Sequence, residues 1–186
     1  MAAKKSTRPD PLRVTAIHEA GHAVASYFLH VKIKAVTIIP AEDALGEVTH
    51  PPIRFASSPG VFDDSVRGID RAERHIIVLW AGQLAQRKHA PRSRWRVSGS
   101  ADREAAMKLF WHITSADEKA RNLQSALLWR RAELLVEQHW KSILAVADAL
   151  LEHKTLDADG VRAAVDRAHG LKPLALGRVA ARGEVG

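Results

Sequence analysis

Residues 18 to 22 read His-Glu-Ala-Gly-His, and these residue types at this spacing are typical of a metal-dependent hydrolase. On a helix, residues four apart project from adjacent turns of one face, so the imidazoles of His18 and His22 can bind one ion. Glu19 lies one step further round the helix, where its carboxylate can reach a water on the metal without being a ligand. The motif therefore predicts a zinc site with His18 and His22 as ligands and Glu19 as the general base of peptide hydrolysis.

Zinc bound by two histidines needs a third protein ligand. The chain has no cysteine, so this ligand must be a histidine or a carboxylate. The extended motif that carries a further Gly and His is excluded, because Ala25 and Phe28 occupy those two positions. The residues alone leave six candidates open: Glu73, His75, Asp102, Glu104, His112 and Asp117.

The first helix must hold the motif, and its start is marked by Asp10 as N-cap and Pro11 at the first helical position. We expect this helix over residues 12 to 29, with a core stripe formed by Ile17, Ala20, Val24 and Phe28. The two histidines then lie beside the core, where a cleft is expected. Gly21 lies between core and site and costs about 1 kcal/mol of helix propensity relative to Ala, so it indicates close approach of another backbone.

The remaining elements are expected to be mainly helical, with a small β-hairpin beside the first helix. The β-branched run at residues 32–40 predicts a strand, and a short second strand is predicted at residues 46–50. Residues 53–65 are expected to form an exposed loop. A second helix is predicted over residues 70–88, and a third begins near residue 101. A long helix is expected from a capping box formed by Ser115 and Glu118 to about residue 139. A further helix ends near residue 153, and the last helix runs from a cap at Thr155 or Asp157 to residue 168.

Length and composition favour one domain over residues 11–170, with tails at residues 1–10 and 171–186. The chain has 186 residues, of which 46% are hydrophobic, which is enough for a real core. We find no apolar stretch long enough to cross a membrane and no signal-peptide h-region. We therefore expect a cytoplasmic protein without membrane contact.

The formal net charge of +7 is concentrated in residues 1–9, 87–96 and 171–186. This distribution favours solvated tails and a basic loop over a nucleic-acid-binding face. A nucleic-acid hypothesis would depend on the loop residues Arg92, Arg94, Trp95 and Arg96, because basic side chains around an aromatic ring can bind single strands. We expect nucleic acid not to be a partner.

Five segments, in the same order, resemble the protease domain of FtsH-type ATP-dependent zinc proteases. They are AIHEAGHAV (16–24), AVTIIPAEDALGEVTH (35–50), RHIIVLWAGQLAQ (74–86), SGSADREAA (98–106) and the helical region 134–165. The resemblance implies that Asp102, in the first turn of a helix, is the third zinc ligand beside His18 and His22, with Glu19 as base. It also implies that the strand at residues 35–39 lies at the rim of the cleft, where we expect an extended polypeptide to add to its free edge.

The chain departs from that family in three respects. The family's membrane helices and AAA+ ATPase are absent, Gln83 and Gln86 stand where the family carries paired Glu, and the stretch after Asp102 is shortened. We therefore expect a stand-alone zinc endopeptidase for unfolded or flexible polypeptides, with a homo-oligomer or a separate ATPase as partner. The alternative is a catalytically inactive zinc-binding interaction module related to these peptidases.

Overall fold

The computed structural model describes residues 9–40, 45–50, 56–58, 61–93, 99–114 and 116–171. The described residues form six helices: α1 (Pro11–Phe28), α2 (Val66–His89), α3 (Ser100–Ile113), α4 (Glu118–Gln138), α5 (Trp140–His153) and α6 (Ala158–Ala168). The strands are β1 (Ala35–Thr37), β2 (Glu47–Thr49), β3 (Ala56–Ser58), β4 (Val61–Phe62) and β5 (Thr155–Asp157). The expected fold class is confirmed to this extent: the protein is mainly helical and has a small antiparallel sheet.

Helix α1 forms the centre of the molecule. Asp10 accepts a hydrogen bond from the backbone N–H of Leu12 at 3.1 Å, which caps the helix as expected. Every residue from Ala16 to Ser26 is buried, because α2 and α5 pack on α1 and the sheet adjoins it. The predicted core stripe was therefore too narrow. Its last member, Phe28, is only partly buried and stacks on the His139 ring with 3.6 Å between the ring centroids.

Two glycines allow α1 and α2 to come into direct backbone contact. A Cβ atom at Gly21 would lie 2.7 Å from the carbonyl oxygen of Ala81 and 2.9 Å from the Cα of Gly82. The predicted backbone approach at Gly21 is therefore confirmed. A Cβ atom at Gly82 would in turn overlap the imidazole of His22. Small residues at this crossing thus bring the second histidine of the motif against the backbone of α2.

The three-stranded sheet has the order β2-β1-β5, so β1 is paired on both sides. Val36 lies opposite Val48 of β2 and Leu156 of β5 in antiparallel register. The prediction that residues 35–39 offer a free edge is therefore wrong. The cause is β5, a three-residue strand between α5 and α6 that buries Leu156 and comes from more than a hundred residues away in sequence. A strand this short carries too little periodicity to be recognised locally.

Hydrogen-bonded caps define where the helices begin, and these starts agree with the predicted ones only in part. Ser65 accepts a hydrogen bond from the Gly68 N–H at 3.2 Å, so α2 begins at Val66 rather than near residue 70. The long helix α4 is capped by Asp117, which accepts from the Ala120 N–H at 2.7 Å; the capping-box residue Ser115 lies outside the described residues. The predicted loop 53–65 contains the β3–β4 pair. Asp157, one of two expected caps, starts α6.

Several predicted features fall outside the described residues. These are most of both tails, at residues 1–8 and 172–186, and the centre of the basic loop at residues 94–98. The tail boundaries and the nucleic-acid hypothesis on Arg94, Trp95 and Arg96 therefore stay predictions. None of the helices in the described part of the chain is both long enough and apolar enough to span a bilayer.

Candidate metal centre

The structure brings His18, His22 and Asp102 together at one point. The Nε2 atoms of the two histidines are 3.0 Å apart, and the Asp102 Oδ2 atom lies 3.1 Å from His18 Nε2 and 3.3 Å from His22 Nε2. The histidines are 8% and 5% exposed, while the carboxylate of Asp102 is open to solvent on one side. Three potential ligand atoms therefore form a nearly equilateral triangle at the edge of the core.

This triangle fits a zinc ion. Tetrahedral zinc binds nitrogen and oxygen ligands at about 2.0–2.1 Å, which places two ligand atoms about 3.3 Å apart. Two imidazole nitrogens and one carboxylate oxygen are also the donor types that catalytic zinc sites use when a fourth position is left for water or substrate. The three side chains can therefore hold zinc without rearrangement of the elements that carry them.

Groups on α2 orient both imidazoles. His22 Nδ1 lies 2.8 Å from the carbonyl oxygen of Val78, which can only accept, so Nδ1 donates its proton. His18 Nδ1 lies 2.9 Å from the side-chain oxygen of Gln86, which accepts in the same way. Both rings thus carry a proton on Nδ1, and both Nε2 atoms face Asp102. Such outer hydrogen bonds fix the ring orientation that a metal requires.

Asp102 reaches the histidines from the first turn of α3. A carboxylate is favoured at this position, because the N-terminal end of a helix carries partial positive charge. Helix α3 packs against α2, which in turn packs against α1. The site is therefore assembled from three consecutive helices, with the candidate ligands on α1 and α3 and the orienting groups on α2.

Opposite charges stabilise each other at the centre when no ion is bound. Burial lowers the pKa of His22, but the charge of Asp102 and its hydrogen bond outweigh this effect and raise that pKa to about 9. Burial likewise works against a charged Asp102, yet the two histidines hold its pKa well below the usual range. A metal ion that binds here therefore replaces a proton on His22.

Glu19 lies beside the triangle and is not part of it. Its side chain is only 6% exposed, and burial raises its pKa although His22 and His18 oppose this effect. It lies beneath the start of β2, where a Cβ atom at Gly46 would come within 2.9 Å of Glu19 Oε1. A buried carboxylate with a raised pKa next to a metal site is suited to taking up a proton.

Of the six candidates for the third ligand, only Asp102 reaches the histidine pair in the described part of the chain. The other five lie elsewhere: Glu73, His75, Glu104, His112 and Asp117. Glu73 forms an ion pair with Arg131 at 3.1 Å, and Asp117 caps α4. Glu104 lies on the exposed face of α3, where it pairs with Lys108 at 2.8 Å. These partners explain the positions of the three carboxylates without a metal.

Sequence reasoning did not identify the orienting residues on α2. Val78, Gly82 and Gln86 follow one another at intervals of four, so they share one face of the helix. That face contacts His22 through Val78 and Gly82, and His18 through Gln86. The sequence indicated Gln86 only as a departure from the FtsH pattern. The spacing of four from the small residue Gly82 was the available signal.

No protein-family profile matches the chain. Among curated proteins, the chain is similar to the ATP-dependent zinc metalloprotease FTSH 11, chloroplastic/mitochondrial, of Arabidopsis thaliana. The two are 25% identical over a 178-residue alignment that covers 82% of this chain and 21% of the relative. The chain thus spans about a fifth of the length of that metalloprotease. The comparison shows a distant similarity to one part of an FtsH-type zinc protease.

Proposed function

We propose that this protein is a zinc-dependent endopeptidase that hydrolyses peptide bonds in unfolded or flexible polypeptides. The observation that carries the proposal is the triangle of His18, His22 and Asp102, with sides of 3.0 to 3.3 Å, beside the buried carboxylate of Glu19. The distant similarity to a zinc metalloprotease supports the same chemistry.

His18, His22 and Asp102 would hold the ion, and Glu19 would move the proton. Zinc at such a site would act as a Lewis acid. It would polarise a carbonyl group and lower the pKa of bound water to near neutral. Glu19 takes the proton of the attacking water and returns it to the leaving amine. Its burial supports this role, because desolvation raises the pKa of the carboxyl group and so favours uptake of a proton.

We place the substrate along β2, whose outer side pairs with no strand in the described part of the chain. The N–H of Lys34 donates to the carbonyl oxygen of Thr49 at 2.8 Å, so Thr49 faces β1. Backbone groups alternate along a strand, and those of Val48 therefore point to the open side. Gly46 adjoins Glu19, so a peptide paired with β2 would pass the catalytic carboxylate.

The test compares zinc content and cleavage of unfolded casein for the wild-type protein and the Glu19→Gln variant. We expect both proteins to bind one zinc ion and only the wild type to cleave, with at least about a hundredfold loss in the variant. Glu104→Gln, which changes an exposed carboxylate on α3, is the matched control and should cleave normally. Zinc binding without cleavage by the wild type would contradict the proposal and support the inactive binding module.

Partners such as a separate ATPase or further copies of the chain stay predictions.

A further inference from the structure

We propose that Gln86 and Ser93 form a positioning pair that holds His18 for metal binding; this inference rests on the proposed zinc site. The oxygen of the Gln86 carboxamide lies 2.9 Å from His18 Nδ1, and its nitrogen donates to the hydroxyl of Ser93 at 3.2 Å. Gln86 is 4% exposed, so its carboxamide is bonded within the protein, and His18 and Ser93 are among its partners. The amide thus connects a ligand on α1 to the turn after α2.

The chemistry of the carboxamide makes its orientation important. The amide oxygen only accepts hydrogen bonds and the amide nitrogen only donates them. His18 must leave Nε2 free of a proton to bind a metal, so its proton lies on Nδ1 and requires an acceptor. The oxygen of Gln86 is this acceptor only while the nitrogen points away, towards Ser93. The Ser93 hydroxyl accepts from that nitrogen and so stabilises the orientation that suits metal binding.

The turn that carries Ser93 is built around Gln86. The N–H of Ala90 donates to the main-chain oxygen of Gln86 at 2.8 Å, and the N–H of Ser93 donates to the carbonyl of Ala90 at 2.9 Å. Backbone and side-chain bonds of Gln86 therefore converge on the same four-residue turn. This gives the Ser93 hydroxyl a fixed position relative to Gln86, as a positioning role requires.

The amide is also neutral, unlike a carboxylate in the same place. A carboxylate would accept the His18 proton more strongly and make the imidazole a more basic ligand. In this chain, Asp102 is the carboxylate in direct contact with the two histidines. Gln86 therefore contributes orientation rather than charge, and a Gln86→Glu variant should retain the hydrogen bond while adding charge.

The experiment measures the zinc dissociation constant by competition with a chromogenic chelator. Because loss of a hydrogen bond to a metal ligand typically weakens metal binding about 10- to 100-fold, we expect a loss in that range for Gln86→Leu and a smaller loss for Ser93→Ala. Gln86→Glu should rescue binding to the wild-type level or better. Gln83→Leu is the matched control, because Gln83 is a buried glutamine of the same helix whose side-chain nitrogen has no partner among the described residues. It should bind zinc like the wild type.

A spectroscopic readout separates orientation from general damage. The ¹⁵N chemical shifts of the His18 ring in zinc-loaded protein should report a proton on Nδ1 in the wild type and a changed Nδ1 environment in Gln86→Leu. Thermal unfolding of the zinc-free protein shows whether the Gln86→Leu variant is folded. If it is not, the Ser93→Ala variant alone decides the question. Equal zinc affinity for Gln86→Leu and Gln83→Leu, or for Ser93→Ala and wild type, would overturn the pair while leaving the peptidase proposal intact. A wild-type protein that binds no zinc would contradict both.

Discussion

At the residue scale, the candidate centre separates the atoms that would bind the ion from those that hold the ligands in place. The candidate ligand atoms belong to His18, His22 and Asp102, whereas Val78 and Gln86 contact the Nδ1 sides of the two rings. The motif predicted the two histidines and Glu19 because their spacing is local. It could not select Asp102 from six candidates by spacing alone, because a ligand 80 residues away is placed by tertiary packing.

Asp102→Asn should weaken zinc binding at least about tenfold, because the amide cannot supply the negative charge that neutralises part of the ion. The measurement is a chelator competition on purified protein. Glu104→Gln, two residues away on the same helix, removes an exposed carboxylate that pairs with Lys108 and should leave zinc affinity unchanged. Equal losses in the two variants would mean that the effect is one of overall charge and not of ligation.

Gly46→Ala should reduce cleavage about 10- to 100-fold while the zinc content stays the same. A Cβ atom at this position would lie 2.9 Å from Glu19 Oε1 and 2.8 Å from its Cγ, so the carboxylate must move. Displacement of a catalytic group by about 1 Å can cost this much in rate. Turnover of an unstructured peptide and bound zinc are measured together. An unchanged rate would argue against a catalytic role for Glu19 in its observed position.

At the scale of elements, the contact between α1 and α2 determines the site, and it depends on residues without bulk. Gly21 meets the backbone at Ala81 and Gly82, and Gly82 in turn leaves space for the ring of His22. Sequence patterns predicted α1, the presence of β1 and β2, and the ends of α2, α5 and α6, because caps and apolar periodicity are local. The strand β1 spans only Ala35–Thr37, whereas a strand was predicted over residues 32–40. The patterns missed the pairing of β5 with β1, because it depends on a strand that is distant in sequence. They also missed the start of α2 at Val66, because it depends on the hydroxyl group of the capping residue Ser65.

Gly82→Ala should destabilise the fold by about 1–3 kcal/mol and abolish zinc binding, because the new methyl group overlaps the His22 ring. Thermal unfolding and zinc content are the measurements. Gly160→Ala is the matched control. Gly160 lies on α6, away from the site, and a Cβ atom at this position would lie 3.2 Å from its nearest neighbour. Loss of zinc in the control as well would show that the site is sensitive to any change in the fold.

At the scale of the whole molecule, zinc would join α1 to α3, two helices that otherwise meet through α2. A ligand that binds only the folded state stabilises it, by about 2.7 kcal/mol at a free concentration of a hundred times the dissociation constant. Zinc should therefore raise the melting temperature of the wild-type protein, and a chelator should reverse the rise. His22→Ala should show no such rise. A melting temperature that does not respond to zinc would contradict a site that connects the two helices.

Pairing of the substrate with the open side of β2 requires an extended main chain. The protein should therefore cleave an unfolded protein much faster than its folded form, and added ATP should not change the rate for this chain alone. Quantified digestion of one substrate in both forms, with and without ATP, tests this. Equal rates for the two forms would remove the strand-addition mode while leaving the metal centre in place.

We propose that His18, His22 and Asp102 hold a catalytic zinc ion. Anomalous diffraction at the zinc absorption edge, from crystals of the Glu19→Gln protein grown with zinc, would locate this ion. We expect a peak about 2.0–2.2 Å from the two Nε2 atoms and from a carboxylate oxygen of Asp102, with the substituted side chain of Glu19→Gln outside the coordination sphere. A zinc peak that lies elsewhere on the protein, or the lack of any peak at these three atoms under saturating zinc, would contradict it.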